Sequence, residues 1–315
     1  EIDAPAAGPD SHNVALKGDV FGAKSELNGH LVISAYEHPA VAEPARFLEK
    51  WGVELSRVPC DEQGIVDPMA VESALRPNTR LVSIMHANNE IGTVQPLREI
   101  AHLCHEQGVL VHTDAAQTVG KIRTMVDELG VDMMTIAGHK MYAPKGVGAL
   151  FIRRGVALEP VLHGAGHEYG LRPGTENVPY LVALGAAATL AAKGVDQEAD
   201  RLSRLRDLLF DSLRNEIGRS LTANGVRAER LPNTLSVNFP DAVGGEILAR
   251  IPELCAATGA ACHSGKTSMS STLQAIGLSD DIARGTIRLS CGWYTSEEEV
   301  QRAASLLVGA WEAVK

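Results

Sequence analysis

Several short clusters of this sequence hold side chains able to do chemistry, and each stands directly behind an apolar run. They are Glu37 with His38, Asn88 with Asn89 and Glu90, Asp114 through Gln117, and His139 with Lys140. Each residue alone has an ordinary explanation. His38 and Asp114 are common helix caps, Asn88 and Asn89 are common turn formers, and lysines such as Lys140 usually extend into solvent. Their coincidence points elsewhere, because amides, imidazoles, carboxylates and one ammonium would then meet at a single edge. The chemistry that wants this set is carbonyl chemistry by an amine. A lysine placed where a strand leaves an apolar core loses its proton near neutrality and condenses with a carbonyl as a Schiff base.

The elements that must position these groups are legible in the first half of the chain. Strands are expected at HLVISAY (30–36), VELSRVP, TRLVSIMHA, VLVHTDA, DMMTIAG and GALFIRR. Helices are expected between them at AVAEPARFLEKWG, at DPMAVESALR opened by Asp67 and Pro68, and at LREIAHLCHEQG closed by Gly108. The strands are continuous apolar runs, which suits strands covered on both faces. This predicts an α/β fold: a large domain with a mostly parallel mixed sheet between helices, over residues 1–195. A smaller α+β domain is expected over 196–315, from the amphipathic run DQEADRLSRLRDLLFDSLRNEIG, the strands TLSVNFP and TIRLSCGW, and a final helix from Ser296. In such sheets ligands bind beyond the carboxyl ends of the strands, where the clusters above fall.

Composition excludes several classes. A formal charge of -10 argues against binding nucleic acid or an anionic membrane through the whole surface. The cysteines, 5 in number and without a CxxC pair, fit a reducing compartment, so the cytoplasm is expected. The longest apolar stretch, VPYLVALGAAATLAA (178–192), falls short of the roughly 20 residues that span a bilayer and reads as a buried helix. EIDAPAAGPD has no apolar segment of the kind that a signal peptide needs. AACHSGKTS departs from a nucleotide-binding loop at Ala260, no G-x-G-x-x-G follows a strand, and the glycines of HGAGH (163–167) disfavour a helical metal pair, so no metal site is expected.

If the carbonyl is that of pyridoxal phosphate, an Asp must face the ring nitrogen, and Asp114 is the candidate. His38 would cover the ring, and Gln117 or Asn89 would donate to the ring oxygen. The motifs HTDAAQTVGK, GHKMYAPKGVGAL, NNEIGTVQP, RPGTEN and GAACHSG, in order along the whole chain, resemble the cysteine desulfurases and selenocysteine lyases, class V aminotransferase-like pyridoxal phosphate enzymes. The resemblance implies that Lys140 carries the cofactor, Asp114 pairs with the ring nitrogen, His38 stacks, and Gln117 and Asn89 lie near the ring hydroxyl. It implies that His139 binds the phosphate and that Thr175 reaches the phosphate of a neighbouring subunit, so a homodimer with shared sites is expected. Arg288 would clamp the carboxylate of the substrate L-cysteine through its guanidinium fork.

Cys262 would then be the nucleophile that takes the substrate sulfur as a persulfide and leaves alanine, with His263 and Lys266 as local cations that favour its thiolate. Its polar, small-residue setting differs from the apolar sequence around Cys104 or Cys255. The family's sulfur goes through an acceptor protein to iron-sulfur assembly, tRNA thiolation or DNA phosphorothioation. Selenocysteine is the alternative substrate, and a silent scaffold of the same fold is the alternative of another class. Two positions depart from the family. Ala7-Gly8-Pro9-Asp10 stands where relatives have a Gly-Gly-Thr-Glu turn, and Ala137 where many have a phosphate-binding serine. Relatives also carry roughly 60 residues, the scale of a small domain, ahead of the position matched by Glu1, so the sequence reads as lacking that N-terminal part.

Overall fold

In the computed structural model, residues 2–3, 8–22, 29–258, 260–263 and 266–315 are described, the side chains of 2–3, 260–263 and 266–268 excepted. The chain divides into two compact units. The first comprises Glu1–Pro59, Val66–Ala87 and Gln95–Val195, and the second Cys60–Ile65, Asn88–Val94 and Asp196–Lys315.

The first unit runs β1 (Ile2–Asp3), α1 (Gly8–Phe21), β2 (His30–Ser34), α2 (Pro39–Glu49), β3 (Glu54–Val58), α3 (Pro68–Ala74), β4 (Thr79–Ser83), α4 (Leu97–Glu106), β5 (Leu110–Asp114), α5 (Val126–Leu129), β6 (Met133–Ala137) and β7 (Gly148–Ile152). Its strands form one sheet in the order β1-β7-β6-β5-β4-β2-β3. The pairs β3·β2, β2·β4, β4·β5 and β5·β6 are parallel, while β7 and β1 add antiparallel pairing at one edge. Parallel pairing puts the carboxyl ends of β2, β4, β5 and β6 on the same side. At about 4.8 Å per strand, the edge from β2 to β6 spans roughly 14 Å. Leu16, Leu31, Ile33, Leu81, Met133 and Leu150 are buried in the main core of this unit.

The apolar run 178–192 and the amphipathic run after it form a single helix, α6 (Val178–Ile217), which crosses the division between the units. The expected burial of the first run is not found. Ala187 and Ala191 are buried, but Val178, Tyr180, Val182 and Leu190 are exposed, Val182 to 67%. One stripe of the helix, with Leu181, Leu184 and Ala187, packs on Met141 and Val147. An apolar run without a polar face does not say which of its sides meets its own core, and here the rest of the helix surface remains in solvent. By length and composition alone α6 could cross a membrane, as many soluble-protein helices could.

The second unit continues with β8 (Thr222–Ala223), β9 (Thr234–Asn238), α7 (Gly244–Ala249), β10 (Ala257–Thr258), β11 (Ala260–His263), β12 (Lys266–Met269), α8 (Ser271–Ala275), α9 (Asp280–Arg284), β13 (Thr286–Ser290) and α10 (Glu297–Glu312). A four-stranded antiparallel sheet, β10-β13-β9-β8, packs its apolar side chains with those of α6 and α10. Ser296 and Glu299 close a capping box at the start of α10. β11 and β12 pair as a separate antiparallel ladder that sets Cys262 opposite Thr267 and His263 opposite Lys266.

Candidate active site

At the carboxyl edge of the parallel strands, Asp114 ends β5 and is buried. Its Oδ1 accepts the Ala116 N–H at 2.8 Å, and its Oδ2 lies 3.3 Å from Nε2 of His12 on α1. Burial, the largest influence, would push this carboxyl up, but the charge and hydrogen bond of His12, with the Ala116 amide, hold it down at about 2. Asp114 is therefore an anion at neutral pH, in a place where an unsupported carboxylate would be neutral.

His38 sits at the N-cap of α2, where its Nδ1 accepts the Ala40 N–H at 3.1 Å. The capping role thus holds, and it places the ring proton on Nε2. Burial pushes the imidazole down despite the ring's exposure, Asp114 pulls it up, and His12 and Lys140 add to the lowering. Next to it, Glu37 is 4% exposed. Its Oε1 accepts both the Ser34 hydroxyl at 2.7 Å and the Met85 N–H at 2.9 Å, while Oε2 has no partner among the described residues. Burial pushes this carboxyl up to about 8, against those two hydrogen bonds and with help from the Asp114 charge.

β6 ends at Ala137, and a single 3-10 turn, Gly138–Met141, carries His139 and Lys140. A Cβ on Gly138 would lie 2.7 Å from the Val147 carbonyl oxygen and 3.0 Å from Leu184, so only glycine lets this turn approach β7 and α6 so closely. The expectation that Lys140 ends inside the core needs correction. The strand stops three residues earlier, and the turn presents Lys140 and His139 on the surface of the chain. Burial pushes the His139 imidazole down, and the charges of Lys140, Lys145 and Lys121 push it further. Gln117, half-buried, comes after Asp114 in a tight turn, and its carbonyl accepts Lys121 Nζ at 3.0 Å. The same Nζ reaches the Lys140 carbonyl at 3.4 Å, so Lys121 ties the two chemical segments together. Burial and the nearby Lys140 charge push the Lys121 ammonium down to about 8.

Asn89 and Arg288 belong to the second unit, where Arg288 Nη1 donates to the Asn89 carbonyl at 3.0 Å. Asn88 is the turn former there, its Oδ1 accepting the amides of Glu90 and Ile91. The backbone of Cys262 lies on β11, but its side chain and those of His263 and Lys266 fall outside the described residues, as does Ala7. Of the cysteines compared with it, Cys104 is buried but Cys255 is exposed, contrary to its apolar sequence context. Thr175 lies exposed between a 3-10 turn and α6. The first unit thus brings together His38, Asp114, Gln117, His139 and Lys140, and the second brings together Asn89 and Arg288.

Residues 12–303 match the family model for Aminotransferase class-V. The chain belongs to this family. Within it, the chain sits among the cysteine desulfurases: it is 42% identical to cysteine desulfurase IscS of Dictyoglomus turgidum over 309 residues, 98% of this chain and 78% of that one. A solved NifS-like protein superposes with a TM-score of 0.90 at 33% identity, covering 100% of this chain and 83% of its own. A structure of SspA in complex with cysteine gives a TM-score of 0.79 at 35% identity, over 94% of this chain and 82% of that one.

Class V aminotransferases depend on pyridoxal phosphate, and the donor set of this chain fits that group. Asp114 offers an anion to a ring nitrogen, Lys140 an amine, and His38 an imidazole plane. Buried Glu37 Oε2 and His12 Nδ1 have no hydrogen-bond partner among the described residues. For the phosphate, Lys121, Lys140 and Lys145 raise the local positive charge around His139. The amino end of α1 packs against the end of β6 with Gly8 in contact with Ala137, where an added Cβ would lie 3.2 Å away. A helix amino end of this length favours an anion. Pro9 takes an early helical position that suits proline, at the loss of one amide donor.

His12, Glu37 and Lys121 are the residues of this site to which the sequence assigns no role. Lys121 stands four residues after Gln117 in the motif HTDAAQTVGK, so the i, i+4 spacing is available as a signal. Nothing in the sequence couples His12 to a residue as distant along the chain as Asp114.

Proposed function

We propose that this chain is a pyridoxal phosphate-dependent cysteine desulfurase that converts L-cysteine to L-alanine and carries the sulfur on Cys262. The observation that bears most weight is the ionised, buried Asp114 on the same sheet edge as Lys140 and His38. When bound, the cofactor supplies a sink for the electron pair left on the substrate carbon. Lys140 holds the cofactor until substrate arrives, then takes the Cα proton with its freed amine. Arg288 grips the substrate carboxylate, with Nη1 tethered to the Asn89 carbonyl. The Cys262 thiolate attacks the substrate sulfur: a sulfur–sulfur bond forms, the Cβ–S bond breaks, and its electron pair returns to carbon. Protonation of that carbon gives alanine, and Cys262 keeps the sulfur as a persulfide. Asn89, Gln117, His139 and Thr175 are assigned as cofactor contacts, and His38 as the ring-covering residue. Cysteine is preferred over selenocysteine as substrate, in keeping with the relatives' names and the cysteine complex of SspA.

The proposed assembly is a homodimer in the cytoplasm. Its support is the exposed apolar surface of α6, with Val178, Val182 and Leu190. A sulfur-acceptor protein would take the persulfide, without direct nucleic-acid binding by this acidic chain. The test is the visible absorption spectrum of the purified protein with pyridoxal phosphate, before and after L-cysteine. A visible band that responds to cysteine, is altered in Lys140→Ala and, with excess dithiothreitol to reduce the persulfide, is accompanied by equimolar alanine and sulfide supports the proposal. Cys262→Ser should keep the band yet lose the persulfide and release alanine at least about a hundredfold more slowly, as expected for removal of a covalent nucleophile. A protein that stays colourless with excess cofactor overturns the proposal.

A further inference from the structure

We infer that His12 is a positioning residue for Asp114, supplying the second hydrogen bond that orients its carboxylate toward the ring nitrogen of the cofactor. This rests on the pyridoxal phosphate reading above and goes beyond it, since no motif assigns a role to position 12.

The geometry leaves His12 little else to do. It sits on α1 at 2% exposure, with Nε2 3.3 Å from Asp114 Oδ2, while Oδ1 takes the Ala116 amide at 2.8 Å. Two acceptors do not bond, so beside a carboxylate Nε2 carries the proton. Each carboxylate oxygen thus receives one donor from the protein, and a carboxylate has lone-pair sites left for a third. Both protein donors are fixed, one on backbone and one on a ring that cannot swing away.

The ring is held by its neighbour. His112 on β5 meets it edge-on, with centroids 5.5 Å apart and planes at 89°. His112 is itself pinned, Nδ1 to the Ser83 hydroxyl at 2.8 Å and Nε2 to the Thr135 hydroxyl at 2.9 Å. Burial keeps that imidazole neutral, its value pushed down to about 3. The other charged or titratable groups that act on the pair are Glu37 after β2, His38 on α2 and, through His38, Lys140 on the turn after β6.

Apolar packing alone would not select histidine here. His12 Nδ1 is buried without a partner among the described residues, a cost that a leucine would not incur. What histidine adds over leucine is the contact to Asp114. Without it, a carboxylate this deeply buried shifts toward its neutral form, and a neutral acid no longer attracts a ring cation.

The experiment measures the equilibrium dissociation constant of pyridoxal phosphate from pH 5.5 to 8 for wild type, His12→Leu and His12→Gln. Protein fluorescence and visible absorption report binding independently of turnover. The expected result is roughly a tenfold to hundredfold weaker constant for His12→Leu at pH 6, the range for losing a hydrogen bond to a charged group. That deficit shrinks toward pH 8, and His12→Gln, which keeps a donor, restores most of the affinity. Superimposable curves for wild type and His12→Leu overturn the inference.

Thermal unfolding of the cofactor-free proteins separates this inference from the reading beneath it. If His12 sustains the Asp114 charge, the gap between wild type and His12→Leu widens from pH 4 to pH 7. A gap that is constant with pH means that the ring only packs, which overturns the inference. A widening gap in a protein that binds no pyridoxal phosphate overturns the cofactor reading, and with it the orientation role.

Discussion

Replacing Glu37 by glutamine tests the electrostatics of the site at a residue outside the proposed chemical steps. The folded-state value of this carboxyl is about 8, against an ordinary value of 4.5. The folded protein therefore holds a proton that the unfolded chain releases, and stability falls as pH rises between the two values. The contribution is full below 4.5 and lost progressively as pH climbs through 8. At pH 7 the interval of 2.5 units above 4.5 corresponds to about 3 kcal/mol at 1.36 kcal/mol per unit. At pH 5 the same reasoning gives about 1 kcal/mol. In Glu37→Gln the amide oxygen can keep the bonds from Ser34 and Met85, and the titration disappears.

Calorimetry of cofactor-free wild type and Glu37→Gln at pH 5, 7 and 8.5 provides the measurement. The first unit is expected to unfold with a midpoint that falls with pH in wild type. Relative to pH 5, the mutant should gain about 5 °C or more at pH 7, taking about 2–4 °C per kcal/mol for a unit of this size. The amide nitrogen of the glutamine inherits the partnerless place of Oε2, which shifts the mutant by a constant at every pH. The change with pH is thus the decisive quantity. Parallel profiles for the two proteins would refute the reasoning, because they would mean that Glu37 is already ionised in the folded state.

Gly138→Ala should impair the turn that carries Lys140: the new Cβ meets the Val147 backbone at 2.7 Å, so about 1–3 kcal/mol of stability and a measurable part of the cofactor affinity should be lost together. Calorimetry and the visible band check both, and an unchanged band would show that the turn adapts. Val182→Glu with Leu190→Glu should leave the folded chain intact, since both side chains are exposed, but should shift the protein from dimer to monomer in analytical ultracentrifugation. A dimer that survives the double substitution would place the subunit contact elsewhere.

The strands of the parallel sheet are legible because continuous apolar runs alternate with helices, and each run matches an observed strand to within a few residues. Asp114, His38, Gln117 and Lys140 can be picked out because parallel pairing gathers the residues behind successive strand ends on one edge. The exposure of Lys140 is not legible, because the strand yields to a 3-10 turn at Gly138 and no local signal fixes where strand geometry stops. Likewise the sequence of α6 suggests a buried helix: hydrophobicity tells that a surface will be covered, and not by which chain.

Local periodicity and short contiguous motifs are enough to specify the layered α/β architecture of the first unit, the edge on which chemistry gathers, and the family. The charge on Asp114, the neutrality of Glu37 at pH 7 and the tether from Lys121 emerge only once the chain is folded. The physical reason is that a titration depends on burial and on neighbours within a few ångströms. His12 and Asp114 are brought within such a distance only when α1 packs over the sheet.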